Sequence, residues 1–246
     1  PQPIKTVITE FSKTLHSTMM KEVCEKRTTN ILDISGKRYE FDSTTIPLCL
    51  ATFPWARFRT KKGGVKAHVL YDIEAQVPAF YTVTTASKHN STAVSSIHYE
   101  PNAYYIFDRT YDSFKELYRY IYDSFFVVRA KTNLKYKTVR YYDEEDDREF
   151  TFLTNAKQLS ASDVANLYKK RWLTILQMAQ AAPQNKEILS TTENVVRIQI
   201  SVAIITYCLV VIVQHDMKLK RSTYEVLQIL SISLTDKNHL RDLLQN

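Results

Sequence analysis

The chain has 246 residues, 44% of them hydrophobic, and a formal net charge of +7. Length and composition suit one domain of ordinary size, or one domain with attachments, around a sizeable core, and no repeat period or low-complexity stretch stands out. The basic balance favours a polyanionic partner such as nucleic acid. Three cysteines, far apart and odd in number, exclude a disulfide framework or a cysteine metal site, so a reducing cytosolic compartment fits best.

Residues 1–36 read as a helical segment, with Ile4, Val7, Ile8, Phe11 and Leu15 near helical spacing. The chain begins without Met, which suggests that an upstream region is missing, and it opens on no signal peptide. RYEFDSTTIP, 38–47, has the aromatic and β-branched content of a strand. The stretch 67–86 reads as two strands joined by a turn near Glu74–Gln76. NAYYIFDRTY, 102–111, begins as a nearly continuous apolar run, as a strand buried on both faces should. A helix is expected over 113–124 and a strand over 125–131.

The acidic string DEEDD, 143–147, separates TVRYY from EFTFLTN and predicts a hairpin with a charged tip. SASDVANLYKKRW opens a helix, with Ser160 or Ser162 as N-cap. STTEN, 190–194, has the form of a capping box, Ser190 with Glu193, ahead of a long helix through Ile212. Its apolar run 202–213 is too short to cross a bilayer and reads as a core helix. Strands followed by helix, strand and helices predict a mixed sheet covered by helices, in the α/β class.

Asp42 and Asp108 each fall at or near the end of an apolar strand, where functional groups collect in open α/β sheets. Two carboxylates there suit a hard divalent ion, because such ions take oxygen ligands. On the residues alone the commoner roles are an Asx-turn or cap for Asp42 and a pair with Arg109 or another arginine for Asp108. Asp72 reads as a turn residue, and His68 and His89 as structural, since neither has a metal-ligand partner at useful spacing. Basic residues cluster in RFRTKKGGVK, in RAKTNLKYK at 129–137 and in YKKR at 168–171.

Together these residues resemble the catalytic domain of insertion-sequence transposases of the D-D-E class. FDSTTIPLCLATFPWARFRTKKGG and the segment through SKHN resemble the first block of that family. FDRTYDSFKELYRY with FFVVRAKTNLKY resembles the second; FLTN, LYKKRW and TTENVVRIQISVAIITYCLVVIV resemble the third. The resemblance covers nearly everything from about residue 38 onward. It implies a ribonuclease H-like fold over 37–246, preceded by the 1–36 segment. It also implies Mg²⁺ or Mn²⁺ as cofactor, DNA strand cleavage followed by transfer of a 3′-hydroxyl, double-stranded DNA at transposon ends and target as partner, pairing of two copies in a synaptic complex, no membrane, and a prokaryotic cytoplasmic, nucleoid-associated location. On that resemblance Asp42 and Asp108 are the first two metal-binding carboxylates. Lys61, Lys62, Lys66, Arg129, Lys131, Tyr168 and Arg171 are candidates for the DNA path.

The family's third block carries Y-x2-R-x3-E-x6-K on a helix. Tyr168 and Arg171 match it, but the Glu position falls on Ile175 and the Lys position on Ala182. Asn90 stands where relatives usually have Asp, and the β-rich insertion before the third block is reduced to one hairpin. Back-translation of 176–188 read one nucleotide later forces a Trp codon at Met178–Ala179. The other codons allow Phe-Lys before it and Leu-Lys-Gln-His-Leu-Lys-Ile-Lys-Lys-Phe after it, a string like the one relatives carry past their glutamate. Residues 173–189 are therefore expected to be frameshifted, in a copy impaired at the third catalytic residue. Two other readings are a non-catalytic DNA-binding remnant and another ribonuclease H-like nuclease such as a resolvase; the third-block signature disfavours the latter.

Overall fold

The computed structural model describes Thr18 and residues 34–111, 123–130, 138–145, 147–169 and 190–233. The expected helices over 1–36 and 113–124 lie almost wholly outside these residues, as do Lys131, Arg171, Ile175 and the segment 173–189. The strands are β1 (Arg38–Leu48), β2 (Arg57–Arg59), β3 (Lys62–Asp72), β4 (Val77–Thr85), β5 (Tyr104–Phe107), β6 (Phe125–Arg129), β7 (Val139–Asp143) and β8 (Arg148–Thr154). The helices are α1 (Ser91–Val94), α2 (161–169, as far as described), α3 (Glu193–Asp216) and α4 (Thr223–Ser233).

All eight strands form one sheet. β1 pairs antiparallel with β3, which also carries β4 and the short β2; on its other side β1 pairs parallel with β5, and β5 parallel with β6. The β7–β8 hairpin joins the far edge through β6 and β8, with Asp143 opposite Arg148 at its charged tip. This is a mixed sheet flanked by helices, a ribonuclease H-like arrangement.

Side chains alternate across a strand, so β1 feeds two cores. Tyr39 and Phe41 pack with Leu70, Tyr105, Phe107, Phe126 and Val128, under Ala93, Val94 and Ile97. Ile46 and Leu48 face the other way, with Val65, Ala67 and Val83, against Val196, Ile200, Ile204, Tyr207, Cys208 and Val211 of α3. All four residues of β5 are buried, as its continuous apolar run predicts. Phe107 is fully buried, and truncating such a residue to Ala costs about 3–5 kcal/mol. Gly63 is required by packing: a Cβ there would lie 2.8 Å from the Leu48 carbonyl oxygen.

Arg38, 1% exposed, binds Glu74 and donates to the Ile34 carbonyl over 3.1 Å, which fixes the start of β1 to the β3–β4 turn. Asp72 makes that turn, its Oδ1 accepting from the amides of Glu74 (3.0 Å) and Ala75 (2.9 Å), as the sequence reading expects. Ser160 caps α2 reciprocally with Asp163.

One cap differs from expectation. Thr192 stands at the N-cap of α3 and makes no side-chain capping bond. Glu193 instead accepts from Arg197, Nη2 to Oε1 2.6 Å, and Arg197 also reaches the Val83 carbonyl on β4. Because the helix starts at Glu193 with Thr192 as N-cap, Glu193 is its first residue and not its third, as a capping box with Ser190 would need. The 24-residue α3 is, by length and composition, apolar enough to cross a membrane, so the shorter run 202–213 understates it. Its buried stripe lies against the sheet.

Candidate active site at the ends of the parallel strands

Phe41 of β1, Phe107 of β5 and Val128 of β6 lie in one row of the parallel sheet. The next residue in each chain direction is Asp42, Asp108 or Arg129. Asp42 therefore lies within β1 and Asp108 just past the end of β5, each one residue beyond the paired Phe41 and Phe107, on neighbouring central strands about 4.8 Å apart. The Ser43 amide donates to Asp42 Oδ1 over 2.6 Å. Asp108 is held from two sides: Thr110 Oγ1 donates to Oδ2 over 3.3 Å, and the Tyr168 hydroxyl approaches Oδ1 at 3.4 Å.

Tyr168 comes from α2. Its ring is 3% exposed and lies 5.1 Å from that of Phe152 on β8. The resemblance places this residue on the DNA path; here its hydroxyl meets Asp108, and the ring is buried rather than on an open surface. The neighbouring Lys169 turns outward to the hairpin tip, with Nζ 2.7 Å from Asp143 Oδ2 and 3.7 Å from Glu145 Oε2. The Asp143 carboxylate raises the Lys169 pKa above its ordinary value.

The other candidates divide. Lys61 and Lys62 are exposed at the β2–β3 turn, beside exposed Arg57 and Arg59 of the same basic cluster. Lys62 lies seven residues of β3 from Val69, the partner of Asp42, or roughly 23 Å along the strand. Lys66 is engaged locally, Nζ donating to Asn90 Oδ1 (2.9 Å) and the Lys88 carbonyl (3.2 Å); burial lowers its pKa. The Arg129 guanidinium lies 5.0 Å over the Phe150 ring.

His68 is fully buried, stacked on Phe41, with Nε2 3.0 Å from Thr84 Oγ1. Burial, assisted by the Lys66 charge, pushes its pKa down to about 4, so it is a neutral core residue at ordinary pH. His89 bonds Ser91 (2.9 Å), and both histidines are structural, as expected. Among the described residues, no group of three or more His, Cys, Asp or Glu is placed to hold a metal. Two neighbouring carboxylates at one level do suit a single hard divalent ion, completed by water or phosphate oxygens.

Sheet order and the flanking helices define a class: domains of ribonuclease H-like fold. Within it, residues 37–173 match the model of the transposase DDE domain, and the chain belongs to that family. It is 25% identical over 228 residues to the "Probable transposase for insertion sequence element IS5377" of Geobacillus stearothermophilus, covering 76% of this chain and 59% of that protein. It is 26% identical over 243 residues to the "Putative transposase y4zB" of Sinorhizobium fredii, covering 82% and 67%. The chain thus spans about three fifths to two thirds of those relatives. In fold it is similar to a piggyBac transposase solved as a synaptic complex with hairpin DNA, at TM-score 0.54 and 12% identity, over 87% of this chain and 57% of that one.

Proposed function

We propose that this chain is the catalytic domain of a DNA transposase, which cleaves DNA at insertion-sequence ends and transfers the freed 3′-hydroxyl to target DNA, in a copy impaired at its third carboxylate. The observation that supports this reading is the parallel pairing of Phe41 with Phe107, since Asp42 and Asp108 are the residues that follow this pair on neighbouring strands. Asp42 and Asp108 would hold Mg²⁺ or Mn²⁺. Such an ion, when bound, neutralises charge at the scissile phosphate and activates water.

The protein's part is positioning. The ladder between β1 and β5 fixes the backbone beneath both carboxylates, and the Ser43 amide fixes one Asp42 oxygen. Tyr168 and Thr110 restrict the rotation of Asp108. Duplex DNA would run over Arg57, Arg59, Lys61 and Lys62 toward the acidic row, with Lys131 and Arg171 as further phosphate contacts. Two copies would pair to hold two DNA ends, acting on DNA in a bacterial cytoplasm.

The Ile175 departure also favours a second reading, a DNA-binding remnant that no longer cuts. One experiment separates the two and tests the first. Residues 173–189 are replaced by the frame-restored segment carrying Glu, and cleavage of a cognate transposon end is assayed with Mg²⁺. The repaired chain should cut, and Asp42→Asn or Asp108→Asn in it should abolish cutting. Cleavage that survives either Asn substitution overturns the assignment.

A further inference from the structure

We propose that Asn90 is a positioning residue for Asp108: its side-chain amide, gripped by Lys66, donates to Thr110, and the Thr110 hydroxyl donates to Asp108. This rests on Asp108 being a metal-binding carboxylate, as proposed above, and adds a support for it that neither the family resemblance nor the candidate residues contain.

The chain of contacts runs over the end of β5. Lys66 Nζ lies 2.9 Å from Asn90 Oδ1, Asn90 Nδ2 lies 3.3 Å from Thr110 Oγ1, and Thr110 Oγ1 lies 3.3 Å from Asp108 Oδ2. Chemistry gives the chain one direction. An ammonium has three donors and no acceptor, so it meets the oxygen of the amide and leaves the NH₂ facing Thr110. The hydroxyl oxygen accepts that N–H, and its own proton then turns to Asp108, which as a carboxylate only accepts. Lys66 is itself anchored to the Lys88 carbonyl, so the origin of the chain does not swing freely.

A carboxylate at position 90 would break this order. It would accept from Lys66 and from Thr110 together, and the hydroxyl proton would be drawn away from Asp108. Asn at this position therefore commits Thr110 to Asp108. A donor on Oδ2, with the Tyr168 hydroxyl at Oδ1, holds the carboxylate in one orientation, and outer partners of this kind tune metal affinity.

Mn²⁺ binding to the full chain, followed by the electron paramagnetic resonance of free Mn²⁺, tests this without requiring cleavage. Thr110 is exposed and Asn90 half-buried, so their substitutions leave the core intact. Asp108→Asn should weaken binding by at least about tenfold, and Thr110→Val and Asn90→Ala should each weaken it by about tenfold. Thr110→Ser, which keeps the hydroxyl, should stay within about twofold. The double variant Asn90→Ala/Thr110→Val should bind no worse than Thr110→Val within about twofold, because the two residues act through one chain.

Losses that multiply in the double variant overturn the proposal, as does Thr110→Ser behaving like Thr110→Val, or Thr110→Val binding as tightly as the parent. If Asp108→Asn weakens binding while Thr110→Val does not, only the positioning role falls. If Asp108→Asn leaves binding unchanged, the metal assignment of Asp108 falls, and the positioning role with it.

Discussion

The Tyr168 hydroxyl lies 3.4 Å from Asp108 Oδ1, and this contact joins the end of β5 to the helix that begins at 161. The ring of Tyr168 is buried against Phe152, so ring and hydroxyl contribute separately. Tyr168→Phe removes one long hydrogen bond and should cost about 1 kcal/mol or less. Tyr168→Ala also opens a cavity and should cost about 3–5 kcal/mol. Urea unfolding of both variants measures this. Equal costs would mean that the hydroxyl, not the packed ring, holds the helix.

Binding of duplex DNA should weaken steeply with salt, because each phosphate neutralised releases counterions, with a slope near ~0.9 per contact in duplex DNA. Lys61→Ala/Lys62→Ala removes two exposed cations at the β2–β3 turn and should lower the slope by about two if both reach phosphates. Arg171→Ala should lower it by about one. Tyr168→Phe should leave it unchanged, since that hydroxyl faces Asp108. Affinity indifferent to salt up to physiological strength would remove the DNA path from these residues.

His68 makes stability depend on pH. Its folded pKa is pushed from 6.5 to about 4, so the unfolded chain binds this proton more readily than the folded one. Its contribution is intact above pH 6.5 and is lost progressively as pH falls toward 4, by about 3 kcal/mol in all. Urea unfolding at pH 7 and pH 5 compares the parent with His68→Gln. The parent should lose more stability over that interval, and equal losses would show that His68 does not titrate as its burial requires.

What the sequence showed clearly was set by local pattern. The run through Tyr104–Phe107 is uniformly apolar and became a strand buried on both faces, and the acidic string 143–147 became a hairpin tip. S-x-x-acid strings were less reliable, because a carboxylate chooses among partners that the string does not contain. Ser160–Asp163 and Ser222–Glu225 form reciprocal caps, yet Ser190–Glu193 does not: α3 takes Thr192 as its N-cap, and Glu193 binds Arg197 one turn on. Asp42 and Asp108 are 66 residues apart in sequence, and only the parallel pairing of β1 with β5, through Phe41 and Phe107, brings them onto neighbouring strands. The links of Lys66 to Thr110 through Asn90 carry no sequence signal except Thr110 standing two residues after Asp108, within reach of its carboxylate.

The chain as it stands should be catalytically dead or nearly so. Asp42 and Asp108 together can hold one ion, but Ile175 offers no oxygen at the third position. The two nearest downstream carboxylates do not replace it: Glu187 lies twelve residues on, beyond Pro183, and Glu193 is bound by Arg197. Losing half of a two-metal centre removes several kcal/mol of charge stabilisation, and each ~1.36 kcal/mol is tenfold in rate, so a loss of at least ~1000-fold is expected. Were the third-block helix to continue through position 183, Pro183 would remove a hydrogen bond and clash with the preceding turn, at about 3 kcal/mol or more. The comparison is between this chain and the version with 173–189 restored, each cutting the same transposon end with Mn²⁺. Ile175→Glu alone, leaving Pro183 in place, should recover only part of the difference. Equal rates for the unrepaired and repaired chains would mean that the third ligand comes from another residue of this chain, and that 173–189 is a divergent segment rather than a shifted one.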